Sequence, residues 1–449
     1  MGTWYNEAVF YHMYPLGMTG APKDNKEEGT VHRFRDLFPW IAHLKKLGIT
    51  AIYIGPLFES ATHGYDTRDY KKVDRRLGDN EDFKKFVGLA HENGIRVVVD
   101  GVFNHTGREF FAFQDIQKNR EGSSYRNWYK GINFGWNTPC NDGFGYEAWR
   151  NCFELVNLNL YEPAVREYLF DVIHFWITEF DVDGIRLDCA DCLTFDFMKE
   201  MRWKTSQWKK DFWLMGEVIH GDYARWVNDE MLHSTTNYEL HKGLYSGHND
   251  HNYFEIAHTI RRQFDENGGI YKGRMLYSFV DNHDVDRLMS KLNNKEHICE
   301  VYTLLYTLPG IPSVYYGSEW GIEGRKQGSC DDPLRPHLVL DEMEKENPNP
   351  KLTRHIEMLG KIRKENPVLA SGRYRELVLT NRQYAFARIQ GDEAVVVAAN
   401  NDEGAATMNI PLPLEGAYVN AATGEEVRVS AGKINIELKA CESMIFKKQ

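Results

Sequence analysis

Four short apolar runs that lead into acidic residues constrain the fold of this chain more than any other feature. Asp100–His105 reads DGVFNH, Asp183–Asp191 reads DGIRLDCAD, Gly216–His220 reads GEVIH and Phe279–Asp284 reads FVDNHD. The apolar stretches attached to them are Arg96–Val99, Ile185–Leu187, Phe212–Met215 and Met275–Val280. Runs this short and this apolar fit strands buried on both faces of a parallel sheet. Acidic groups gathered at the C-terminal ends of such strands mark an active site.

Helical patterns alternate with these runs. Ile41, Leu44 and Leu47 precede the strand candidate Ala51–Ile54. Phe83, Phe86, Val87 and Ala90 fall at i, i+3, i+4 and i+7 before Gly94, which predicts an amphipathic helix stopped by glycine. Pro163 suits a first helical turn and opens a third pattern through Val165, Leu169, Val172, Ile173 and Trp176. Repeated βα units of this kind predict an α/β fold around a parallel sheet.

The spacing of the acids locates an insertion. Asp188 and Glu217 lie 29 residues apart, about one βα unit, and Glu217 and Asp284 lie 67 apart, about two. Asp100 and Asp188 lie 88 apart, too many for one unit. The surplus, 104–155, is rich in Gly, Asn, Trp and Tyr and lacks helical periodicity. Such excursions from barrel strands shape substrate clefts. After about residue 371 the pattern changes to alternation (Tyr384, Phe386, Ala394–Ala399, Ile434, Ile436, Leu438), which predicts a small antiparallel β-domain.

Composition narrows the partners. With 54 basic against 65 acidic residues the net charge is -11, which argues against nucleic acid and anionic membranes and favours a neutral small-molecule substrate. The N-terminus shows no basic-then-apolar leader and no segment approaches a membrane span, so a cytoplasmic location is expected. Seven cysteines are an odd, sparse set that suits free thiols in a reducing compartment. Cys189-x-x-Cys192 has no second pair, so it is read as packing and no metal ligands are assigned.

The chemistry best served by these acids is glycosidic cleavage. One carboxylic acid must protonate the leaving oxygen while a carboxylate acts from the opposite face; at a separation of about 5 to 5.5 Å the second group attacks directly and configuration is retained. Neighbouring strands lie about 4.8 Å apart, so Asp188 and Glu217 at consecutive strand tips are expected at retaining distance. Arg186, two residues before Asp188 on one strand face, should hold it ionised as the nucleophile. Glu217 has no basic neighbour in sequence and faces two other acids, which should raise its pKa and make it the acid/base. Asp284 is placed to stabilise the oxocarbenium-like transition state, with His283 and His105 as neutral hydrogen-bonding partners.

At these four blocks the chain resembles the α-amylase family, glycoside hydrolase family 13, over nearly its whole length. The resemblance implies a (β/α)8 TIM barrel over 1–103 and 156–371, an inserted domain B over 104–155 after the third strand, and a C-terminal antiparallel β-sandwich over 372–449. It carries the nucleophile to Asp188, the acid/base to Glu217, the transition-state stabiliser to Asp284, and sugar contacts to His105, Arg186 and His283. His63–Tyr70 and Phe110–Asp115 resemble the cyclomaltodextrinase, neopullulanase and maltogenic amylase branch. There Tyr65 would be the stacking platform beneath the cleaved sugar, and Asp332 and Arg335 would match an Asp and an Arg beyond the last strand. Three features depart from the branch: its N-terminal β-domain has no counterpart before Val9–Tyr14, Ile219 stands where an aromatic is common, and Leu155–Asn159 is an unusual variant of a specificity-marking stretch.

The expected activity is retaining hydrolysis of α-1,4 bonds in maltooligosaccharides and cyclodextrins, with transglycosylation. The alternatives are an α-1,6-acting or mainly transferring or isomerising enzyme with the same triad, and a non-catalytic glycan-binding protein; the intact acids disfavour the last. No cofactor is required. Many family members hold a structural calcium, for which Asn104 is a candidate ligand. Monomer and homodimer both remain open.

Overall fold

The computed structural model describes residues 3–26, 29–328 and 330–449. Eight strands form one parallel sheet: β1 (Phe10–Met13), β2 (Ala51–Ile54), β3 (Arg96–Gly101), β4 (Gly184–Leu187), β5 (Trp213–Gly216), β6 (Ser234–Thr235), β7 (Tyr277–Phe279) and β8 (Ile311–Tyr315). They lie in the order β6-β5-β4-β3-β2-β1-β8-β7. The ring closes where Thr236, just past β6, bridges Tyr277 of β7, and the Asn237 N–H donates to the Tyr277 carbonyl at 2.8 Å. Closure leaves no sheet edge exposed.

Register delivers the acids to one place. Asp100 of β3 pairs with Arg186 of β4, and Leu187 pairs with Gly216 of β5. Asp188 and Glu217 are each the next residue, so the two carboxylates leave adjacent strands side by side. Outside the ring run α1 (Trp40–Lys46), α2 (Asn80–Glu92), α3 (Pro163–Phe180), α4 (Phe195–Trp208), α5 (Tyr238–Asn249), α6 (Tyr253–Phe264), α7 (Ile298–Thr307) and α8 (Pro350–Glu365). A capping box starts α2, with the Asp79 and Asp82 side chains each accepting from the other's backbone N–H. Pro163 sits in the first turn of α3.

Between β3 and α3 the inserted segment hangs from a short antiparallel stem in which His105–Gly107 pairs with Leu155–Asn157. Contrary to the expectation of no helical periodicity, it contains a helix, Phe111–Asn119. That helix buries only Ala112, Phe113 and Ile116, a stripe too short to repeat at i+7 and so invisible in the pattern.

The C-terminal domain packs a five-stranded antiparallel sheet against a three-stranded one. Its strand Gln383–Gln390 is buried on both faces: Ala385, Ala387 and Ile389 join Met408, Ile410 and Ile434 inside the sandwich, while Tyr384 and Phe386 join the barrel core. On the barrel-facing side, the buried Arg388 guanidinium donates to the carbonyls of Thr307 (2.9 Å), Leu369 (2.6 Å) and Gly372 (2.8 Å). Among the described residues no carboxylate pairs with it, and burial pulls its pKa down to about 9. Its five donors meet backbone acceptors, including a carbonyl at the C-terminal end of α7.

Candidate active site

The strand ends open into a cleft of about 840 Å³. Asp188, Glu217 and Asp284 all line it, together with Tyr65, His105 and Arg335. Arg186 lies beneath them, 3% exposed, and organises three carboxylates. Its Nη1 donates to Asp100 Oδ1 at 2.9 Å and Oδ2 at 3.0 Å and to Asp188 Oδ1 at 2.9 Å. Its Nη2 lies 2.8 Å from Glu217 Oε2. Glu217 has no basic neighbour in sequence, and strand pairing supplies one through space.

Carboxylate oxygens of Asp188 and Glu217 approach within 4.8 Å, in keeping with the short spacing of direct attack. Burial raises Glu217 to about 8; Arg186 opposes the rise, and the charges of Asp188 and Asp284 add to it. A carboxyl so placed carries its proton at neutral pH. Asp188 is also pushed up by burial, with Arg186 again opposing. Asp100, held by Tyr53 Oη at 2.7 Å, is raised by burial to about 6. It sits below the cleft as the far anchor of Arg186.

The opposite wall is built around Asp284. Arg335 Nη2 donates to Asp284 Oδ1 at 3.0 Å and to Asp331 Oδ2 at 3.1 Å, and its Nε donates to the His283 carbonyl at 3.0 Å. Its guanidinium also sits 4.6 Å from the Tyr14 ring centre. His283 lies behind the wall, 2% exposed. It hydrogen-bonds the Tyr65 hydroxyl and lies 3.1 Å from Asp284 Oδ2, while the Tyr65 and His283 rings stack at 5.7 Å. Burial lowers His105 to about 3, so it is neutral, and its Nε2 has no partner among the described residues. An unpaired ring nitrogen in a cleft suits a substrate hydroxyl.

Asp332 is a correction. It lies outside the cleft, ion-paired with Lys23 and 3.2 Å from the Cys330 thiol, whereas its neighbour Asp331 lines the cleft and holds Arg335. The short helical turn Asp332–Leu334 rotates successive residues by about 100–120°, so neighbouring side chains diverge. Asn104 Nδ2 donates to His105 Nδ1 at 3.2 Å and Asn157 Oδ1 at 3.3 Å. Calcium takes about six to eight oxygens, and no acidic cluster among the described residues includes Asn104.

Sequence reasoning missed several cleft residues. Trp149 and Arg150 come from the inserted segment, and Tyr238, His241, Lys242 and Tyr245 form one i, i+3, i+4, i+7 face of α5. The α5 face was legible as a period but is too polar to read as a core stripe.

A profile of the family described as "Alpha amylase, catalytic domain" matches residues 37–365. The chain is 30% identical over 465 aligned positions to a cyclomaltodextrinase of Geobacillus thermopakistaniensis, covering 97% of this chain and 76% of that protein. It superposes on a solved cyclomaltodextrinase with a TM-score of 0.88 at 26% identity, over 99% of this chain and 78% of the other. A debranching enzyme of Nostoc punctiforme superposes with a TM-score of 0.79 at 28% identity, over 99% of this chain and 98% of that one. The chain belongs to the alpha-amylase catalytic-domain family and is a glycoside hydrolase.

Proposed function

We propose that this enzyme cleaves α-1,4-glucosidic bonds of maltooligosaccharides by double displacement, with Asp188 as nucleophile and Glu217 as acid/base. The observation that carries this reading is the close approach of the two carboxylates, within 4.8 Å, with burial raising Glu217 to about 8 so that it holds the proton. Glu217 gives its proton to the glycosidic oxygen as Asp188 attacks C1, so the C1–O bond breaks and a glycosyl ester forms on Asp188. Glu217, now a carboxylate, takes a proton from water as water attacks C1 and frees Asp188. A sugar hydroxyl in place of that water gives transglycosylation. Asp284, fixed by Arg335, would grip ring hydroxyls of the distorted sugar, Tyr65 would stack on it, and His105 would accept or donate to a hydroxyl.

Cyclodextrins are proposed as further substrates on the likeness to cyclomaltodextrinases. The end-to-end match with a debranching enzyme favours α-1,6 cleavage as the second reading. A cytoplasmic location is proposed because all seven cysteines are free thiols; among the described residues no helix is long and apolar enough to cross a membrane. Incubation with maltoheptaose, γ-cyclodextrin and pullulan, with early NMR of the products, tests the reading. The expected result is α-configured maltose and glucose from the chain and the ring. β-Configured products would overturn the double displacement, and cleavage of pullulan at α-1,6 bonds alone would favour the second reading.

A further inference from the structure

We propose that Cys189 is a positioning residue for both acids, its thiol donating to the nucleophile Asp188 and its backbone N–H donating to Glu217. Its Sγ lies 3.1 Å from Asp188 Oδ2 and its nitrogen 3.1 Å from Glu217 Oε2. The naming of Asp188 as nucleophile rests on the function proposed above; the contacts themselves do not.

Three observations carry the inference. The two oxygens of Asp188 have different donors: Arg186 Nη1 holds Oδ1 at 2.9 Å and the thiol holds Oδ2, so the carboxylate cannot rotate without losing one of them. Cys189 adopts φ 45 and ψ 48, the left-handed region that a non-glycine residue enters at a cost. Immediately after β4, that turn points both the N–H and the Sγ back at the strand-end acids instead of outward. The thiol also lines the cleft, yet burial and the charges of Asp188 and Glu217 push its pKa far above the ordinary range, so it remains a neutral donor. The charged groups influencing Asp188 are Arg186 and Asp284, with Asp100 and Glu217 sharing the same guanidinium. The thiol adds a hydrogen bond without adding charge and favours the ionised nucleophile.

The test compares wild type with Cys189→Ala and Cys189→Ser on 4-nitrophenyl α-maltoside across pH. In C189A, kcat/KM should fall about tenfold, as for loss of a hydrogen bond to a charged group, and the acidic limb should move to higher pH. In C189S a hydroxyl donor should recover most of both. A folded C189A with the wild-type rate and limb, or an impaired one with an unmoved limb that serine does not rescue, overturns the proposal. A second measurement needs no substrate: iodoacetamide labelling of Cys189 in wild type and Asp188→Asn, read by peptide mass spectrometry against pH. Removing the carboxylate charge should let labelling begin at lower pH, and an unchanged profile overturns the pairing. If the labelling shifts while no α-glucoside is cleaved, the functional reading fails and the contact stands.

Discussion

Arg186 Nη2 sits 2.8 Å from Glu217 Oε2, so the cation that holds Asp188 also restrains the pKa of Glu217. Replacing Arg186 by Gln leaves the buried Asp100 and Asp188 and the partly buried Glu217 without their shared partner. The fold should lose about 3–5 kcal/mol, and kcat/KM should drop by at least about a thousandfold. Both Asp188 and Glu217 lose a neighbour that lowers their pKa, so any residual activity should have both pH limbs shifted upward. A residual profile with unmoved limbs would contradict the shared contact.

The pH dependence of kcat/KM should be bell-shaped. The proposed double displacement requires protonated Glu217, so the basic limb is expected near about 8; it requires ionised Asp188, whose raised pKa sets the acidic limb above the ordinary aspartate value of about 4.

Stability carries the same signature with a definite sign. A carboxyl raised on folding binds its proton more tightly in the native state, so its contribution falls as pH rises from about 4.3 to about 8. Glu217→Gln removes that loss. Its melting temperature should exceed wild type at pH 8 and converge with it at pH 4, measured by calorimetry, while turnover of maltoheptaose should all but vanish.

Gly55 lies just past the C-terminal end of β2, where a Cβ would fall 2.4 Å from Asp100 Cβ and 3.1 Å from its backbone nitrogen. Gly55→Ala must therefore displace the anchor of Arg186. A shift of about 1 Å in a catalytic array costs roughly a hundredfold, so kcat should fall by that order while circular dichroism stays native.

Arg388 offers a prediction on stability without chemistry. Its donors satisfy carbonyls of the barrel and of the chain leading into the sandwich. Arg388→Met leaves those carbonyls buried and unpaired, costing about 3 kcal/mol in urea denaturation, with kcat per folded molecule unchanged.

Much of this site could be read from the chain itself, for a physical reason. Asp188 and Glu217 are tied to their strands by one peptide bond each, and strand pairing then fixes their spacing to within side-chain reach. The βα rhythm around Phe83–Ala90 and Pro163–Trp176 was legible because each helix buries a stripe long enough to repeat. The helix Phe111–Asn119 and the divergence of Asp331 from Asp332 were not, because both depend on a turn or less of backbone that sequence periodicity cannot resolve.

Sequence by itself determined the parallel strands, the acids at their tips and the order of the domains, since local periodicity and covalent adjacency are sufficient for those. Tertiary structure alone decided that Arg186 reaches Glu217, that Arg335 joins Asp284 to Asp331, and that Cys189 turns back onto both acids. Each is a contact through space between groups whose electrostatic coupling depends on distance and burial, which only the closed barrel sets.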